Sequence, residues 1–345
     1  MKGLFAYSGL TTKIRAMQSN LISRLQYEEI ANLKSVPELF AYLQQHQGYR
    51  HLFANMEAST IHRGDIEALL RFSTFRDFSK IYNFANGKQR KYLDLYFMKY
   101  EIEVLKRYMR NILDNREDLT LSVIRNDFEL HSKINTSKVA ESATMEEFIN
   151  NLKDTRYYEP LSELRTAENL TLFDYEMRLD QFLYAAIWKV KDTFFKGVDA
   201  QVITNSYGFK IDMMNIMWLY RGKKYYNIGS PQILSLLIPI SYKLKTKDMK
   251  TLADAEDLDK FYSVLNNTYY KKYFEEHRLE EISMEELEES ILYTMHVRDY
   301  QKNPYSIAAI NTYLFLKERE ISNLIKATEC IRYGYPAEEI LQQLV

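Results

Sequence analysis

Three carboxylates stand at comparable places in the chain. Glu101 lies in YEIEVLKRYMR (100–110), Asp212 in IDMMNIMWLYR (211–221) and Glu320 in REISNLIKATE (319–329). A positioned carboxylate can serve as a general acid or base. Catalytic groups usually occur once per site, whereas these three recur in matching surroundings, which points to packing or capping. An apolar residue follows each acid by one position (Ile102, Met213, Ile321) and an aliphatic one by four (Leu105, Ile216, Leu324). The second and third copies share an Asn three residues on, Asn215 and Asn323, where the first has Val104. The first two share an Arg nine residues on, Arg110 and Arg221, where the third has Glu329. An arginine at that place suits either a partner contact or the free carbonyls of a helix end.

Other chemistry lacks its residues. The sequence contains no GxxxxGK[ST] phosphate loop, no GxGxxG and no HExxH. Gly87-Lys88 and Gly222-Lys223 lack the upstream spacing of a phosphate loop. The six histidines are His46, His51, His62, His131, His277 and His296; His46 and His51 are five apart, a poor spacing for shared metal ligation on a helix. Cys330 is the single cysteine and has no neighbouring histidine, so a Cys/His nucleophile is unsupported and no intramolecular disulfide can form. No cofactor is expected. The acidic run at 275–289 reads as a solvated helix face with a dipole-favourable start. The lysines between Lys243 and Lys250 read as a solvated loop. The 28 tyrosines, paired at Tyr157-Tyr158, Tyr225-Tyr226 and Tyr269-Tyr270, suit partly wet helix–helix or protein–protein surfaces. With 46 basic and 47 acidic residues the chain has no global basic footprint for nucleic acid.

The elements that must carry these residues are helices. Ten glycines and six prolines in 345 residues leave too few turn formers for an all-β protein. A capped amphipathic helix appears three times, in IANLKSVPELFAYL (30–43), VAESATMEEFINNL (139–152) and LADAEDLDKFYSVL (252–265). The caps are Ser35, Thr144 and Asp257, side chains that accept from the free N–H groups of a first turn. Ser35/Glu38 and Thr144/Glu147 have capping-box spacing. Apolar anchors follow each cap by four residues (Leu39, Phe148, Phe261) and by eight (Leu43, Leu152, Leu265), on one helix face. Each copy then runs into tyrosine, at Tyr49, Tyr157-Tyr158 and Tyr269-Tyr270. The caps are 109 and 113 residues apart and the acids 111 and 108, so two independent motifs share one period. The chain thus reads as all-α, three diverged copies of one helical unit, with domains at 1–115, 116–240 and 241–345. Further helices are expected near Asp65, Asp174 and Glu285, a charged mini-loop at 83–90, and polar boundaries at 114–118 and 243–257. The longest apolar runs, 183–190 and 233–240, fall short of the roughly 20 residues a spanning helix needs. The N-terminus lacks the apolar core of a signal peptide. A soluble protein is expected, with docking on a membrane complex left open.

Three segments together resemble a known family. YSGLTTKIRAMQSNLIS (7–23), including Arg15, resembles the N-terminal segment of the C subunits of A-type and bacterial V-type rotary ATPases, the counterparts of the vacuolar enzyme's d subunit. IDMMNIMWLYRGK (211–223) is similar to that family's D-x-x-N…R-G segment, and EREISNLIKATECIRYGYPAEEI (318–340) to its E-x-x-N…G-x-P segment. Thr11-Thr12-Lys13 departs from the small residues usual there. The resemblance implies an all-helical funnel of three similar domains in pseudo-threefold arrangement, without a catalytic site. It implies a cytoplasmic, peripheral rotor component that rests on the membrane-embedded proteolipid ring and takes the foot of the central shaft in a socket. Neither nucleotide nor nucleic acid is then an expected partner. The candidate partner-binding residues are Arg15, Glu101, Arg110, Asp212, Asn215, Arg221, Glu320 and Asn323. Two other readings compete. A helical-repeat adaptor would normally have repeats of about 20–45 residues, much shorter than this period. A helical enzyme would need a unique polar cluster outside the repeat, and none stands out.

Overall fold

The computed structural model describes residues 2–54, 56, 63–114, 128–166, 170–226, 228–274 and 283–344. Among these the regular structure is helical throughout. The α-helices are α1 (Lys2–Gln18), α2 (Arg24–Ala31), α3 (Val36–Gln45), α4 (Arg50–Phe53), α5 (Arg63–Phe84), α6 (Gly87–Asp114), α7 (Thr136–Ala140), α8 (Met145–Asn150) and α9 (Tyr158–Ser162). After a 3-10 turn at Glu163–Thr166 come α10 (Leu172–Phe194), α11 (Gly197–Lys224), α12 (Ser230–Leu236), α13 (Thr246–Ala253) and α14 (Leu258–Leu265). The last four are α15 (Lys271–Phe274), α16 (Met284–Lys302), α17 (Ile307–Arg332) and α18 (Ala337–Gln343).

Two compact units divide the chain. Unit 1 is Met1–Asn151 with Tyr300–Val345, and unit 2 is Leu152–Asp299. In unit 1, α17 packs against α1, α2, α3, α5 and α18. Its core joins the two ends of the sequence: Ile30, Leu39, Phe40, Leu43 and Phe53 meet Leu324, Ala327 and Ile331. In unit 2, α11 packs against α10, α12, α13 and α14.

The three caps are formed. Ser35 Oγ accepts from the Glu38 N–H at 3.4 Å, Thr144 Oγ1 from Glu147 N–H at 3.2 Å, and Asp257 Oδ1 from Lys260 N–H at 2.7 Å. The Glu38 and Glu147 carboxylates reach back one residue further than a capping box requires, to the N–H groups of Lys34 (2.8 Å) and Ala143 (2.9 Å). All six anchors, Leu39, Leu43, Phe148, Leu152, Phe261 and Leu265, are fully buried. Each such burial is worth about 1.5–3 kcal/mol.

The helices expected near Asp65, Asp174 and Glu285 are α5, α10 and α16. Each is followed after a short turn by a long helix, and α6, α11 and α17 begin at equal intervals, at Gly87, Gly197 and Ile307. The expected mini-loop at 83–90 is only the break Ala85–Asn86, where Asn86 Oδ1 takes the N–H groups of Lys88 and Gln89 at 3.1 Å. Gly334, at φ +73°, ends α17: its N–H reaches Ile331 C=O at 3.1 Å and the Tyr335 N–H reaches Cys330 C=O at 3.0 Å. This is a Schellman stop followed by Pro336, which accounts for the G-x-P of that segment.

The reading of the lysines between Lys243 and Lys250 as a solvated loop needs correction. Much of it is α13, whose Met249, Leu252 and Ala253 are buried beneath the exposed lysines. Dense charge on one face masked a short amphipathic helix. The boundary expected at 114–118 lies, beyond Asp114, outside the described residues, as does the 275–282 part of the acidic run.

Candidate functional site

The three repeated acids each sit within a long helix and grip an irregular stretch of chain. In unit 1, Glu320 of α17 accepts from the Ile22 N–H, from the Tyr49 hydroxyl at 2.5 Å and from Lys317 Nζ at 2.9 Å. Lys317, one turn back on the same helix face, also donates to the Tyr49 hydroxyl at 2.7 Å and lies 4.2 Å from its ring centroid. Glu320, Lys317 and Tyr49 are all buried. Burial and the Glu320 charge push the Tyr49 phenol well above its ordinary range, so it stays a neutral donor. Asn323, a further turn along, is buried and hydrogen-bonds Tyr27.

In unit 2, Asp212 of α11 plays the same part. Its carboxylate accepts from the N–H groups of Lys243 and Leu244, both at 2.7 Å, from Tyr242 N–H at 3.4 Å, and from the Tyr270 hydroxyl at 2.7 Å. Burial pushes this carboxyl above the usual aspartate range, against the pull of those four hydrogen bonds. Asn215 makes a two-way bond with Ile238, accepting its N–H at 2.9 Å and donating to its C=O at 3.1 Å. The acid and the Asn, three residues apart on one helix face, thereby fix the stretch 238–244. Gly208 allows that stretch to lie close, since a Cβ there would come within 2.6 Å of the Tyr242 ring.

Glu101 of α6 is buried and accepts from Ser132 Oγ at 2.5 Å, the same hydroxyl that takes the Ile134 N–H at 3.1 Å. The gripped stretches at Ile22, Ser132 and 242–244 each lie just ahead of a short helix, respectively α2, α7 and α13.

Thus five of the eight candidates, Glu101, Asp212, Asn215, Glu320 and Asn323, are buried and hold the fold from within. The three arginines lie at the surface. Arg15 Nε is 3.4 Å from the Tyr300 hydroxyl. Arg221 pairs with Glu285 at 2.9 Å, both well exposed, which makes the pair worth at most about 1 kcal/mol. Arg110 lines a cleft of about 690 Å³ among α5, α6 and α17.

Sequence reasoning missed what the acids hold. Tyr49, Tyr157 and Tyr270 are fully buried, not surface groups, while Tyr225, Tyr226 and Tyr269 are exposed as expected. The available signal was position, because Tyr49 and Tyr270 follow their caps at nearly the same interval. Lys317 was also missed; a lysine three residues before a buried acid on one helix face is its signature. Among the described residues no helix is long and apolar enough to cross a membrane.

Comparison with known proteins identifies the family. Residues 10–343 match the family model described as the ATP synthase (C/AC39) subunit. The chain is 26% identical to the C subunit of the A-type ATP synthase of Methanosarcina acetivorans, over 94% of this chain and 88% of that one. It is 24% identical to the corresponding A-type C subunit of Thermococcus kodakarensis (97% and 89% covered) and 26% identical to that of Pyrococcus abyssi (98% and 90%). A match spanning nearly every described helix places this chain in the C/AC39 subunit family of the ATP synthases.

Proposed function

We propose that the protein is the non-catalytic central-stalk subunit of an A/V-type rotary ATPase, a socket that couples the central shaft to the membrane rotor ring during ATP-linked proton or sodium transport. It is cytoplasmic and held at the membrane peripherally, through the ring. In this reading the chain is three related helical domains, 1–115, 116–240 and 241–345, closed on one another as a pseudo-threefold funnel.

One observation carries the proposal beyond family membership. Each acid takes partners from the next copy of the motif: Glu101 holds Ser132, Asp212 holds 242–244 and Tyr270, and Glu320 of the last copy returns to Ile22 and Tyr49 of the first. Each of these bonds lies inside one compact unit, where it ties distant stretches of that unit together and resists shear within it. A torque-bearing coupler needs that property, since a soft one would store the motor's work as strain. The buried acids and asparagines then shape the socket walls from behind, and Arg15, Arg110 and Arg221 are the candidates that reach a partner directly.

The test is co-purification of the tagged full chain with the shaft subunits and the proteolipid ring. The expected result is a complex containing both, and an assembly lacking this chain should hydrolyse ATP without moving ions. Recovery with neither partner overturns the proposal.

A further inference from the structure

A second, smaller cavity opens in unit 1, where the end of α1 meets α4, α5 and α17. Its volume is about 290 Å³, at the small end of the roughly 300–1,000 Å³ usual for ligand pockets. Two helix faces converge on it. Arg76 and Lys80 stand four residues apart on α5, and Tyr313 and Lys317 four apart on α17, so each pair shares one face. Arg50 and His51 of α4 close a third side. The turn leading into α4 lies against the end of α1 because Gly48 has no side chain; a Cβ there would come within 2.5 Å of the Asn20 carbonyl oxygen.

The charges around this cavity do not balance. Four cations line it, Arg50, Arg76, Lys80 and Lys317, with one carboxylate, Asp77. Lys80 is matched by Asp77 at 2.8 Å, and that carboxylate also accepts from the Tyr313 hydroxyl at 2.6 Å. Lys317 is matched by Glu320. Arg50 and Arg76 remain. Among the described residues neither guanidinium has an ion pair or a hydrogen bond. Arg76 is half-buried, and it stands one turn from Lys80, a placement of like charges that lowers stability. His51 registers the same field. Partial burial, then Arg76 and Lys80, hold its imidazole down at about 4; Asp77 opposes them and Lys317 adds to the push. The ring is therefore neutral at pH 7 and keeps one N–H to donate.

These features select one kind of anion. A phosphate group carries about −1.5 to −2 at pH 7, which balances two unpaired guanidiniums. Each guanidinium is a planar fork that takes phosphate oxygens in pairs. Lys317, buried in the wall, has three N–H donors and uses two of them on Tyr49 and Glu320. A single carboxylate would bring one charge and leave one guanidinium unmatched. A helix is about 10–12 Å across and too broad to enter a cavity of about 290 Å³. We propose that this cavity binds a phosphate-class dianion between the Arg50 and Arg76 guanidiniums, with His51 as a further donor. The site lies wholly within unit 1 and stands apart from the rotor reading.

The probes are inorganic phosphate and pyrophosphate added to the full chain, with chloride at matched ionic strength as the blank. Calorimetry reads binding, and proton NMR reads the His51 ring, assigned by the signal lost in His51→Gln. Both phosphates should bind where chloride does not. Pyrophosphate should also raise the His51 pKa, because a negative charge beside the ring favours imidazolium. Arg50→Gln and Arg76→Gln should each weaken pyrophosphate at least about tenfold, the loss of one charged hydrogen bond, while Arg221→Gln in unit 2 leaves it unchanged. Thermal midpoints in chloride should not fall in either variant, which separates lost binding from lost folding. Vesicles tell the source of the phosphate apart. Displacement of pyrophosphate by phosphatidic acid vesicles, and not by phosphatidylcholine, makes the ligand a lipid headgroup; pyrophosphate that stays bound makes it a free solute. No heat beyond the chloride blank overturns the site. So does unchanged affinity in both arginine variants, or a His51 pKa unmoved at saturation. A glutamate-rich peptide that binds the native chain where pyrophosphate does not overturns it too.

Discussion

Replacing Glu320 by alanine should be among the most costly single changes in unit 1. Among the described residues this carboxylate is the acidic partner of Lys317, and both are buried. Removing it strands an ammonium in the core, a loss of about 3–5 kcal/mol. Tyr49→Phe removes two hydrogen bonds to charged groups, one donated to Glu320 and one accepted from Lys317, each about 1.5–3 kcal/mol, but leaves the ion pair itself in place. The informative variant removes every member at once. Lys317→Met/Glu320→Leu/Tyr49→Phe leaves no buried charge, and replacing a buried ion pair by apolar groups is often near neutral. What remains is the Ile22 N–H without its acceptor, about 1–3 kcal/mol. The triple variant should therefore be more stable than the single Glu320→Ala. Urea unfolding followed by far-UV circular dichroism measures this. Both tryptophans, Trp188 and Trp218, lie in unit 2, so their fluorescence monitors the unit that was not altered. A cost below about 1 kcal/mol for Glu320→Ala, or a triple variant less stable than the single, refutes the reasoning.

Three further outcomes are expected. Gly208→Ala should destabilise unit 2 by about 1–3 kcal/mol, despite the helix propensity gained, because the new Cβ meets the fixed end of the Tyr242 ring; tryptophan fluorescence in urea reads it, and a stabilised protein contradicts it. Ser35→Ala, Thr144→Ala and Asp257→Ala should each cost about 1 kcal/mol in thermal or urea unfolding without removing any catalytic group, and the three losses should add, since no two caps share a partner. Burial holds His46 below the ordinary histidine range, and its Nδ1 accepts the Gly48 N–H at 3.2 Å. Its contribution is present above pH about 6.5, the unfolded value, and is lost as pH falls toward the lower folded value. His46→Gln should flatten that limb of the stability–pH curve, and an unchanged limb would show that the His46 pKa does not fall on folding.

What could be read from sequence was local. A cap is decided within four residues, so Ser35, Thr144 and Asp257 were legible, as were their buried anchors and the approximate starts of α5, α10 and α16. The partners of the acids were not. Asp212 meets a backbone 30 residues ahead and Glu320 one 298 residues behind, and nothing near either residue encodes that pairing. Tyrosine was ambiguous because the same side chain serves a wet surface at Tyr225 and a dry node at Tyr270. The lysine run failed as a loop signal because Met249 and Leu252, spaced for one helix face, were outnumbered by charge. The arginines stayed open because no local pattern fixes an exposed side chain, and the partner of Arg221, Glu285, lies 64 residues on.

The Glu320 node also sets a schedule. Tyr49 and Glu320 are 271 residues apart, and the core around Leu39, Phe40 and Phe53 is closed by Leu324 and Ala327. A ribosome adding about 5–20 residues per second needs roughly 14–54 s between them. Throughout that time the N-terminal helices have no α17 to cover them, and unit 2, whose sequence is continuous, emerges complete in the interval. The inner segment can therefore finish folding before the outer one, and the newborn N-terminus is a surface for chaperones until the last helix arrives.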